Sequence, residues 1–590
     1  MTSPQPKIFG QISLALSQKN LKNAKKLFSS AEKMYPNLPL TFFYKGMIEQ
    51  QKGSDKRDVV FRLWEKAFKS GLEDLDFLNV YAMLANDLSI WSSACEAYWK
   101  MIQIKHDDYK LYYSLSSVLA KMGNPVTAIS VLKTSLKVIK PNDAFLPFIF
   151  TQMAGNMIKI GCQEEAVQCY EASLTTNDCN RITSYLFHLN YVDMNREKNF
   201  ELYEKYRTAY EKEIIEARPP FPQTEKIKIG FVSADFYRHP ISYFMSGLFE
   251  HYDRDKFEFH CFSHTAKDDD FTEFFKKNAA KWHEIAKLKT LKDVAELIRK
   301  EQITVLIDLM GHSSKQILPL FAFRPAPVQA TYCGYPNTTG LKSIDYRISD
   351  KIAEPEDAQK YHSEKLYKLD GCFLCFNSDL YPSPPQRTDV EPVNRPVIFG
   401  CFNNLSKISP KTIRAWSKAL LAVPNSKLKI KDRALEDPQV RELVLHRFSE
   451  NGIPANRIEV IGFTINTAEH LKLYNEIDIA LDAFPYNGTT TTCDALNMGC
   501  PVITILGDRH VSRVSASLLH TVGLPELVAR DEDEFVKIAA DLATNTKKLA
   551  TIKENLAERV KKSPLMDKIA FSKKFQNALL DMIAEVKNEN

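Results

Sequence analysis

Apolar positions recur at helical spacing between residues 11 and 200, where almost no strand pattern occurs. In the first unit Ala24, Phe28 and Ala31 lie four and three residues apart, and Pro36 follows. The same register begins again at Val60, Ala94, Ala128 and Ala166, in steps of 36, 34, 34 and 38 residues. A fixed period of this length predicts an array of helical repeats.

The steps are close to the 34-residue period of tetratricopeptide units, which are helix pairs that stack into a curved solenoid. We therefore predict tetratricopeptide-like repeats over residues 1–213. The concave face of such a solenoid binds extended polypeptides, which makes polypeptide acceptors the expected partner. The alternative is that the array only stabilises or dimerises the protein.

The pattern changes after a proline-rich linker, predicted at residues 214–225. Short apolar runs then alternate with helical stretches, which is typical of a parallel sheet covered by helices. The predicted strands are Ile227–Ser233, Phe257–Phe262 and Thr304–Met310. These elements predict a Rossmann-like lobe over residues 226–390.

A second alternation follows the polar passage from Ser378 to Arg395 and predicts another Rossmann-like lobe over residues 391–565. Its predicted strands are Val397–Phe402, Leu428–Lys431, Ile458–Phe463, Ile477–Phe484 and Val502–Leu506. Residues 566–590 predict an amphipathic helix that packs back against the pair of lobes. The expected fold class is therefore α plus α/β, with a ligand cleft at the carboxyl ends of the strands.

Composition narrows the functional classes. The net charge of +5 over 590 residues is small and dispersed, so nucleic acid is not an expected partner. No run of eighteen apolar residues and no secretory leader occurs, which predicts no membrane association. Eleven cysteines without a repeating frame are typical of reduced thiols. We therefore expect a cytoplasmic protein.

The stretch from Ile477 to Pro501 offers the clearest candidate chemistry. A strand pattern ends in a turn containing Gly488, and four threonines (Thr489–Thr492) precede a helical pattern. Unpaired amides and the positive dipole end of a helix bind anions, and hydroxyls add further donors. The turn is thus a candidate phosphate site, although threonines also cap helices without binding anything.

Three other loops carry polar side chains directly after predicted strands. His239 follows the first strand of the first lobe, and His312 follows the strand that contains Asp308. Asn404 and Lys407 follow the first strand of the second lobe. Neither GxGxxG after the opening strand nor GxxxxGK[ST] is present, which argues against a dinucleotide redox enzyme and a P-loop kinase.

Several long strings in this order resemble one family. They are FNNLSKISP (402–410), DIALDAFPYNGTTTTCDAL (478–496), RPAPVQATYCGYPNTTG (324–340), YRISD (346–350) and GDRHVSRVSASLL (507–519). They are similar to the SPINDLY and O-linked N-acetylglucosamine transferase family of tetratricopeptide-repeat protein O-glycosyltransferases, in its bacterial type. The resemblance spans residues 226 to about 528 and implies a GT-B glycosyltransferase module.

The resemblance implies transfer of a sugar from a nucleotide diphosphate to Ser or Thr of a polypeptide, with inversion and without a metal or other cofactor. His239 matches the active-site histidine, as base or positioning group, and Lys407 matches the lysine on the diphosphate. The expected donor-binding residues are Asn404, Lys431, Gly488, Thr489, Thr490, Thr491, Asp494, Gly334, Pro336 and His312. Among them Thr490 and Thr491 match phosphate-binding threonines, Asp494 the acidic residue on the ribose, and Gly334 with Pro336 the loop near the sugar.

Departures from the family pattern leave the identity of the donor sugar nucleotide undetermined. Thr489 stands where the animal enzymes have histidine, and Thr467 stands where they have lysine. The TTTTC string and Lys431 are more similar to SPINDLY, whose plant members use GDP-fucose. UDP-GlcNAc is the leading donor, with GDP-fucose or UDP-glucose as alternatives. A non-catalytic repeat scaffold with a degenerate transferase module is a further alternative, and a homodimer is left open.

Overall fold

The computed structural model of the protein describes residues 6–174, 178–211, 215–265, 267–381 and 395–589. It divides into two compact units, Met1–Met157 and Ile158–Asn590. The predicted start of the linker at residue 214 and the predicted lobe boundary at 390/391 lie outside the described residues. No helix in the described ranges combines the length and the apolar run that a bilayer crossing requires.

The first unit is built from helices. They are α1 (Lys7–Ser17), α2 (Leu21–Met34), α3 (Pro39–Gln50), α4 (Arg57–Lys69), α5 (Leu75–Asp87), α6 (Trp91–Ile104), α7 (Tyr109–Lys121), α8 (Pro125–Ser135) and α9 (Leu146–Lys159). Consecutive helices pack as pairs, beginning with α1 on α2 and α3 on α4. The boundary between the two units falls in the last turn of α9.

The predicted repeat register is confirmed by burial. Ala24, Ala94 and Ala128 are fully buried, and Val60 is 1% exposed. Small side chains at these positions let the second helix of each pair approach the first closely, while aromatic residues such as Trp64 fill the remaining core. The spacing read from the sequence therefore marks the inward face of the array.

The second unit begins with four further helices, α10 (Gln163–Ala172), α11 (Cys179–His188), α12 (Arg196–Tyr206) and α13 (Thr208–Glu211). Ala166 continues the repeat register in α10 and is fully buried. These helices are bonded to the rest of the second unit. Gln163 Nε2 donates to Ser406 O at 2.8 Å, and Asn337 Nδ2 donates to Asn199 Oδ1 at 2.9 Å. The repeat pattern thus extends into the second compact unit, beyond the unit boundary at 157/158.

The first lobe contains a seven-stranded parallel sheet. Its strands are β1 (Ile227–Ser233), β2 (Phe257–Ser263), β3 (Lys281–Glu284), β4 (Val305–Asp308), β5 (Val328–Tyr332), β6 (Tyr346–Asp350) and β7 (Lys365–Leu369), in the order β3-β2-β1-β4-β5-β6-β7. Its helices are α14 (Pro240–His251), α15 (Asp270–Asn278) and α16 (Leu291–Lys300). The three predicted strands are present, with β4 shorter than predicted, and four more strands extend the sheet.

The second lobe contains a six-stranded parallel sheet. Its strands are β8 (Ile398–Cys401), β9 (Lys427–Lys431), β10 (Ile458–Ile461), β11 (Ile479–Leu481), β12 (Val502–Ile505) and β13 (Val528–Ala529), in the order β10-β9-β8-β11-β12-β13. Its helices are α17 (Pro410–Ala422), α18 (Pro438–Glu450), α19 (Thr467–Leu473), α20 (Thr490–Asn497), α21 (Val514–Thr521), α22 (Glu532–Thr544) and α23 (Thr546–Lys561). All five predicted strands are present, but β11 spans three residues instead of the predicted eight.

The final helix, α24 (Lys568–Glu589), returns to the first lobe, where its described contacts lie on α14, β5 and β7. The rings of Phe575 and Tyr332 are 5.0 Å apart, and Tyr346 Oη donates to Glu585 at 3.0 Å. Since the chain leaves the second lobe to reach the first, α24 ties the two ends of the α/β region together. The predicted helix is therefore present, on one lobe of the pair.

Candidate active site

A cavity of about 570 Å³ lies between the two lobes and α11. Eight predicted site residues line it: His239, His312, Gly334, Asn404, Lys407, Thr489, Thr490 and Thr491. Four others, Pro336, Lys431, Gly488 and Asp494, lie outside its lining. A volume of this size is in the range of ligand pockets, which hold molecules as large as a nucleotide sugar.

Asp482 builds the turn that leads into the threonines. Its carboxylate accepts hydrogen bonds from the Gly488 amide at 2.8 Å and from Thr504 Oγ1 at 2.7 Å. Gly488 is required here, because a Cβ at this position would lie 2.5 Å from Thr492 Oγ1 and 2.7 Å from Thr491 Oγ1. The Gly488 amide is thus occupied inside the protein, and the residue shapes the turn without lining the cavity.

The first turn of α20 faces the cavity with unused amides. The first helical amide that donates to a backbone carbonyl is that of Cys493, to Thr489 O at 3.0 Å. The amides of Thr490, Thr491 and Thr492 have no acceptor among the described residues. Thr489 is the N-cap residue, yet its hydroxyl makes no capping hydrogen bond. These donors, with the positive end of the helix dipole, are suited to bind an anion.

Lys407 supplies a cation beside this turn. Its Nζ donates to Asn487 O at 2.8 Å and lies 4.0 Å from the ring centroid of Tyr486. Burial lowers the pKa of Lys407 to about 8, although the carboxylate of Asp482 opposes the shift. The ammonium is therefore held without a direct carboxylate partner among the described residues, which leaves its charge for a ligand.

Two neighbouring asparagines have different roles. Asn404, the predicted residue, is exposed, and its Oδ1 accepts from Ser406 N at 3.1 Å and Ser406 Oγ at 2.9 Å. Asn403 is 6% exposed, and its Oδ1 accepts from Thr491 Oγ1 at 2.6 Å. The Asn403 side chain thus joins the loop after β8 to the first turn of α20. The sequence gives no sign of this difference, because Asn403 and Asn404 stand next to each other in the same polar string.

His239 caps α14 and faces the cavity. Its Nδ1 accepts a hydrogen bond from the Ile241 amide at 3.4 Å, and Asp235 Oδ2 lies 3.9 Å from the same atom. Burial lowers the pKa of His239, so the ring is neutral at neutral pH. Because Nδ1 accepts the amide, the proton of the neutral ring lies on Nε2. In this tautomer Nε2 is a hydrogen-bond donor.

His312 is fully buried at the wall of the cavity. Its Nε2 lies 2.7 Å from Thr339 O and must donate to that carbonyl, so the lone pair is on Nδ1. Nδ1 has no partner among the described residues, and burial lowers the pKa of His312 to about 4. Nearby Gly334 has no room for a side chain, because a Cβ there would lie 1.8 Å from Leu309 O. The loop of His312 and the loop of Gly334 therefore meet at the cavity wall, where Gly334 contributes backbone alone.

The helix α11 contributes residues that sequence analysis missed. Thr183, Ser184, Phe187 and His188 line the cavity. His188 Nδ1 lies 2.6 Å from Ser184 O and donates to it, which leaves the lone pair on Nε2. Burial lowers the pKa of His188 to about 4. A histidine inside a helical repeat gives no sequence signal, since its place at the cavity depends on long-range packing.

Two of the predicted residues outside the cavity, Lys431 and Asp494, form a separate group. Lys431 Nζ is 3.1 Å from His470 Nδ1, and His470 Nε2 is 3.6 Å from Asp494 Oδ2. Tyr381 Oη donates to Asp494 Oδ1 at 2.8 Å. Lys431 and Asp494 are thus brought together through His470, away from the cavity lining. Their contact with a donor stays a prediction, as does that of Pro336.

Two groups of lining residues differ in chemistry. We call Asn403, Lys407, Thr489, Thr490 and Thr491 the anion wall, because they present amides, hydroxyls and a cation. We call His188, His239 and His312 the imidazole wall, because they present three neutral rings. A diphosphate fits the first wall, and hydroxyl groups fit the second, whose rings offer both donors and acceptors.

Comparison with known proteins agrees with this arrangement. The profile of glycosyl transferase family 41 matches residues 200–383 and 385–575. A rice (Oryza sativa subsp. japonica) protein named probable UDP-N-acetylglucosamine–peptide N-acetylglucosaminyltransferase SPINDLY is 36% identical over 429 residues, which are 70% of this chain and 46% of the relative. A protein of the same name from Eustoma exaltatum subsp. russellianum is 40% identical over 347 residues, 58% of this chain and 37% of the relative.

A solved structure shares the overall architecture. A mutant of the Thermobaculum terrenum O-GlcNAc transferase superposes with a TM-score of 0.76 at 26% identity, covering 87% of this chain and 98% of that one. The helical repeats with two parallel-sheet lobes are therefore a repeat-bearing GT-B glycosyltransferase fold, as predicted. The chain spans less than half the length of the curated plant relatives described above.

Proposed function

Because the chain belongs to glycosyl transferase family 41, we propose that it is a protein O-glycosyltransferase that moves a sugar from a nucleotide diphosphate to Ser or Thr side chains. The observation that carries the proposal is the meeting of Lys407 with the first turn of α20 in one cavity. Negative charge develops on the diphosphate as it leaves, and fixed donors at that place lower the barrier. Transfer with inversion and without a metal belongs to this proposal.

The imidazole wall handles the sugar and the acceptor hydroxyl. His239 donates from Nε2, since its Nδ1 already accepts the Ile241 amide. This tautomer favours a positioning role, because a general base at Nε2 would need the proton on Nδ1, against the Ile241 N–H. His312 lines the same cavity, with its Nδ1 buried and without a partner among the described residues.

UDP-GlcNAc is the leading donor in this proposal, supported by the names of the plant relatives. GDP-fucose is the second candidate, favoured by the all-threonine turn at Thr489 and by Lys431. The experiment is to incubate the purified chain with UDP-GlcNAc, GDP-fucose and UDP-glucose separately and measure release of the nucleoside diphosphate. Turnover of one donor identifies the sugar. Absence of turnover with all three, with and without protein acceptors, would favour the non-catalytic scaffold.

The acceptor side of the proposal concerns the repeats. The first unit has its own core, while α11 belongs to the second unit and lines the cavity. We expect removal of residues 1–157 to change nucleotide affinity by no more than about twofold. The same removal should reduce transfer to protein acceptors by about tenfold or more, because a second, linked binding site raises the apparent affinity for an acceptor by at least that factor. Both are measurable, by calorimetry and by transfer assays. Equal use of protein acceptors by the shortened chain would contradict acceptor binding by the array.

A further inference from the structure

We propose that His260, His283 and Glu301 form a binding site for a divalent transition-metal ion, Zn²⁺, at the edge of the first lobe's sheet. None of the three lines the cavity between the lobes. The proposal is therefore independent of the proposed glycosyl transfer and concerns a structural ion. It rests on the spacing of the ligand atoms, on a carboxylate behind one of the imidazole rings and on one competing cation.

The two nitrogen atoms have the spacing of a tetrahedral site, and the carboxylate oxygen lies close enough to complete it after a small side-chain movement. His260 lies in β2 and His283 in the edge strand β3, and Glu301 directly follows α16. His260 Nδ1 and His283 Nε2 are 3.4 Å apart. Two nitrogens bound to one tetrahedral Zn²⁺ are separated by about 3.3–3.4 Å. Glu301 Oε2 is 4.0 Å from His260 Nδ1, and one atom from each residue fits within 4.8 Å.

A carboxylate stands behind one of the two rings. Glu258 Oε2 lies 3.6 Å from His260 Nε2, while the other ring nitrogen, Nδ1, is the one near His283. A carboxylate behind a ligating histidine is the usual outer-shell arrangement at zinc sites. His260 is 2% exposed and His283 is 9% exposed, so both rings are packed in the lobe edge and have little freedom to move away from each other.

Lys281 occupies the place that the ion would take beside Glu301. Its Nζ is 2.7 Å from both carboxylate oxygens of Glu301. The Lys281 side chain is 53% exposed, so it can turn into solvent when a divalent cation replaces it. The ammonium is therefore a competitor of the metal. If Lys281 competes with the metal, then replacing this lysine by an uncharged residue should strengthen Zn²⁺ binding.

The donor set selects the class of ion. Two imidazole nitrogens and one carboxylate oxygen suit Zn²⁺ and its neighbours, whereas Mg²⁺ and Ca²⁺ prefer oxygen ligands alone. Water would complete the coordination on the exposed side. An ion here would join β3, a four-residue edge strand, to β2 and to the end of α16. Its expected effect is to stabilise this edge of the lobe.

The test uses the full chain after treatment with a chelator. Calorimetric titration with Zn²⁺ and absorption spectra with Co²⁺ measure affinity and ligand type, and thermal unfolding with and without Zn²⁺ measures stabilisation. The variants are His283→Ala, Glu258→Gln and Lys281→Met. His446→Ala is the matched control, because that histidine is 67% exposed and distant in sequence from the cluster.

We expect one saturable Zn²⁺ per chain and an unfolding temperature that rises with Zn²⁺. Glu258→Gln should weaken binding by about 10–100-fold, and His283→Ala by more than that. Lys281→Met should tighten binding, and His446→Ala should leave it unchanged. No saturable binding, binding unaffected by His283→Ala, or weaker binding in Lys281→Met would each overturn the proposal. If His283→Ala fails to fold, the Glu258 and Lys281 variants decide the outcome.

Discussion

The two walls of the cavity differ in how many of their polar groups already have hydrogen-bond partners within the protein. In the anion wall the amides of Thr490 and Thr491 have no acceptor among the described residues. The ammonium of Lys407 is buried, and its hydrogen bond goes to a backbone carbonyl instead of a carboxylate. In the imidazole wall each ring is fixed by one hydrogen bond to the backbone. The first wall is prepared for charge, and the second for oriented hydroxyls. Variants of the first should therefore weaken nucleotide binding, and variants of the second should mainly slow transfer.

The largest effect is expected for Lys407→Met. The loss of the cation should reduce transfer by about 10²–10³-fold, which is typical when one donor to a developing anion is removed. Nucleoside diphosphate affinity should fall in the same variant. Turnover assays and calorimetry measure the two quantities, and Lys427→Met, an exposed lysine at the start of β9, is the control. Near-normal transfer by Lys407→Met would remove this residue from the mechanism.

His239 should give the next largest effect, on rate rather than on nucleotide affinity. His239→Ala removes the Nε2 donor and should slow transfer by about 10²-fold, within the range of one catalytic hydrogen bond or proton transfer. His239→Gln restores an N–H donor and should recover part of the rate. Recovery supports a positioning role. Equal loss in both variants, with unchanged nucleotide affinity, would instead support a general base.

The pH dependence of nucleotide binding sharpens the contrast between the walls. Burial sets the pKa of Lys407 at about 8, and a bound diphosphate favours the charged form, which raises that pKa. Binding above pH 8 must then take up a proton, so affinity falls as pH rises, by up to about tenfold per pH unit. Calorimetry at pH values from about 7 to 9, on both sides of the Lys407 pKa, measures this slope. The slope should be absent in Lys407→Met, and its persistence there would assign it to another group.

A smaller effect is expected for Thr489→Val. The Thr489 hydroxyl makes no capping bond and lines the cavity, so its loss should cost one hydrogen bond to a ligand, about five- to tenfold in nucleotide affinity. The unfolding temperature should not change. Thr491→Val is the comparison, because its hydroxyl donates to Asn403 and its loss should also lower stability. Equal nucleotide affinity in Thr489→Val and the unsubstituted protein would limit the anion wall to its amides and Lys407.

The sequence predicts features whose signals are local or periodic. The repeat register is one, since Ala24, Ala94 and Ala128 are buried at the predicted spacing. The turn before α20 is another, because glycine, hydroxyls and a following helical pattern lie next to one another in the chain. Both features can be predicted without knowing the fold, because the residues involved are adjacent in the chain or recur at a fixed period.

Other parts of the site depend on contacts between distant segments. His188 lies in a helix of the repeat pattern, and only the packing of α11 beside the lobes brings it to the cavity. Asn403 and Asn404 are adjacent in sequence, but the bond from Thr491 to Asn403 separates their roles. Asp494 lies one turn beyond Thr490 in α20, where its carboxylate accepts from Tyr381 Oη at 2.8 Å. No pattern in a single sequence predicts which partner each of these side chains contacts.

Calorimetric titration of Lys407→Met and His239→Ala with UDP and with GDP tests the central claim most directly. We expect that one of the two nucleotides binds the unsubstituted chain and that His239→Ala leaves this binding unchanged. Lys407→Met should weaken it by at least about tenfold, the loss of one charge-assisted bond. Nucleotide binding that survives in Lys407→Met but is lost in His239→Ala would contradict the central claim, because the diphosphate would then lie against the imidazole wall.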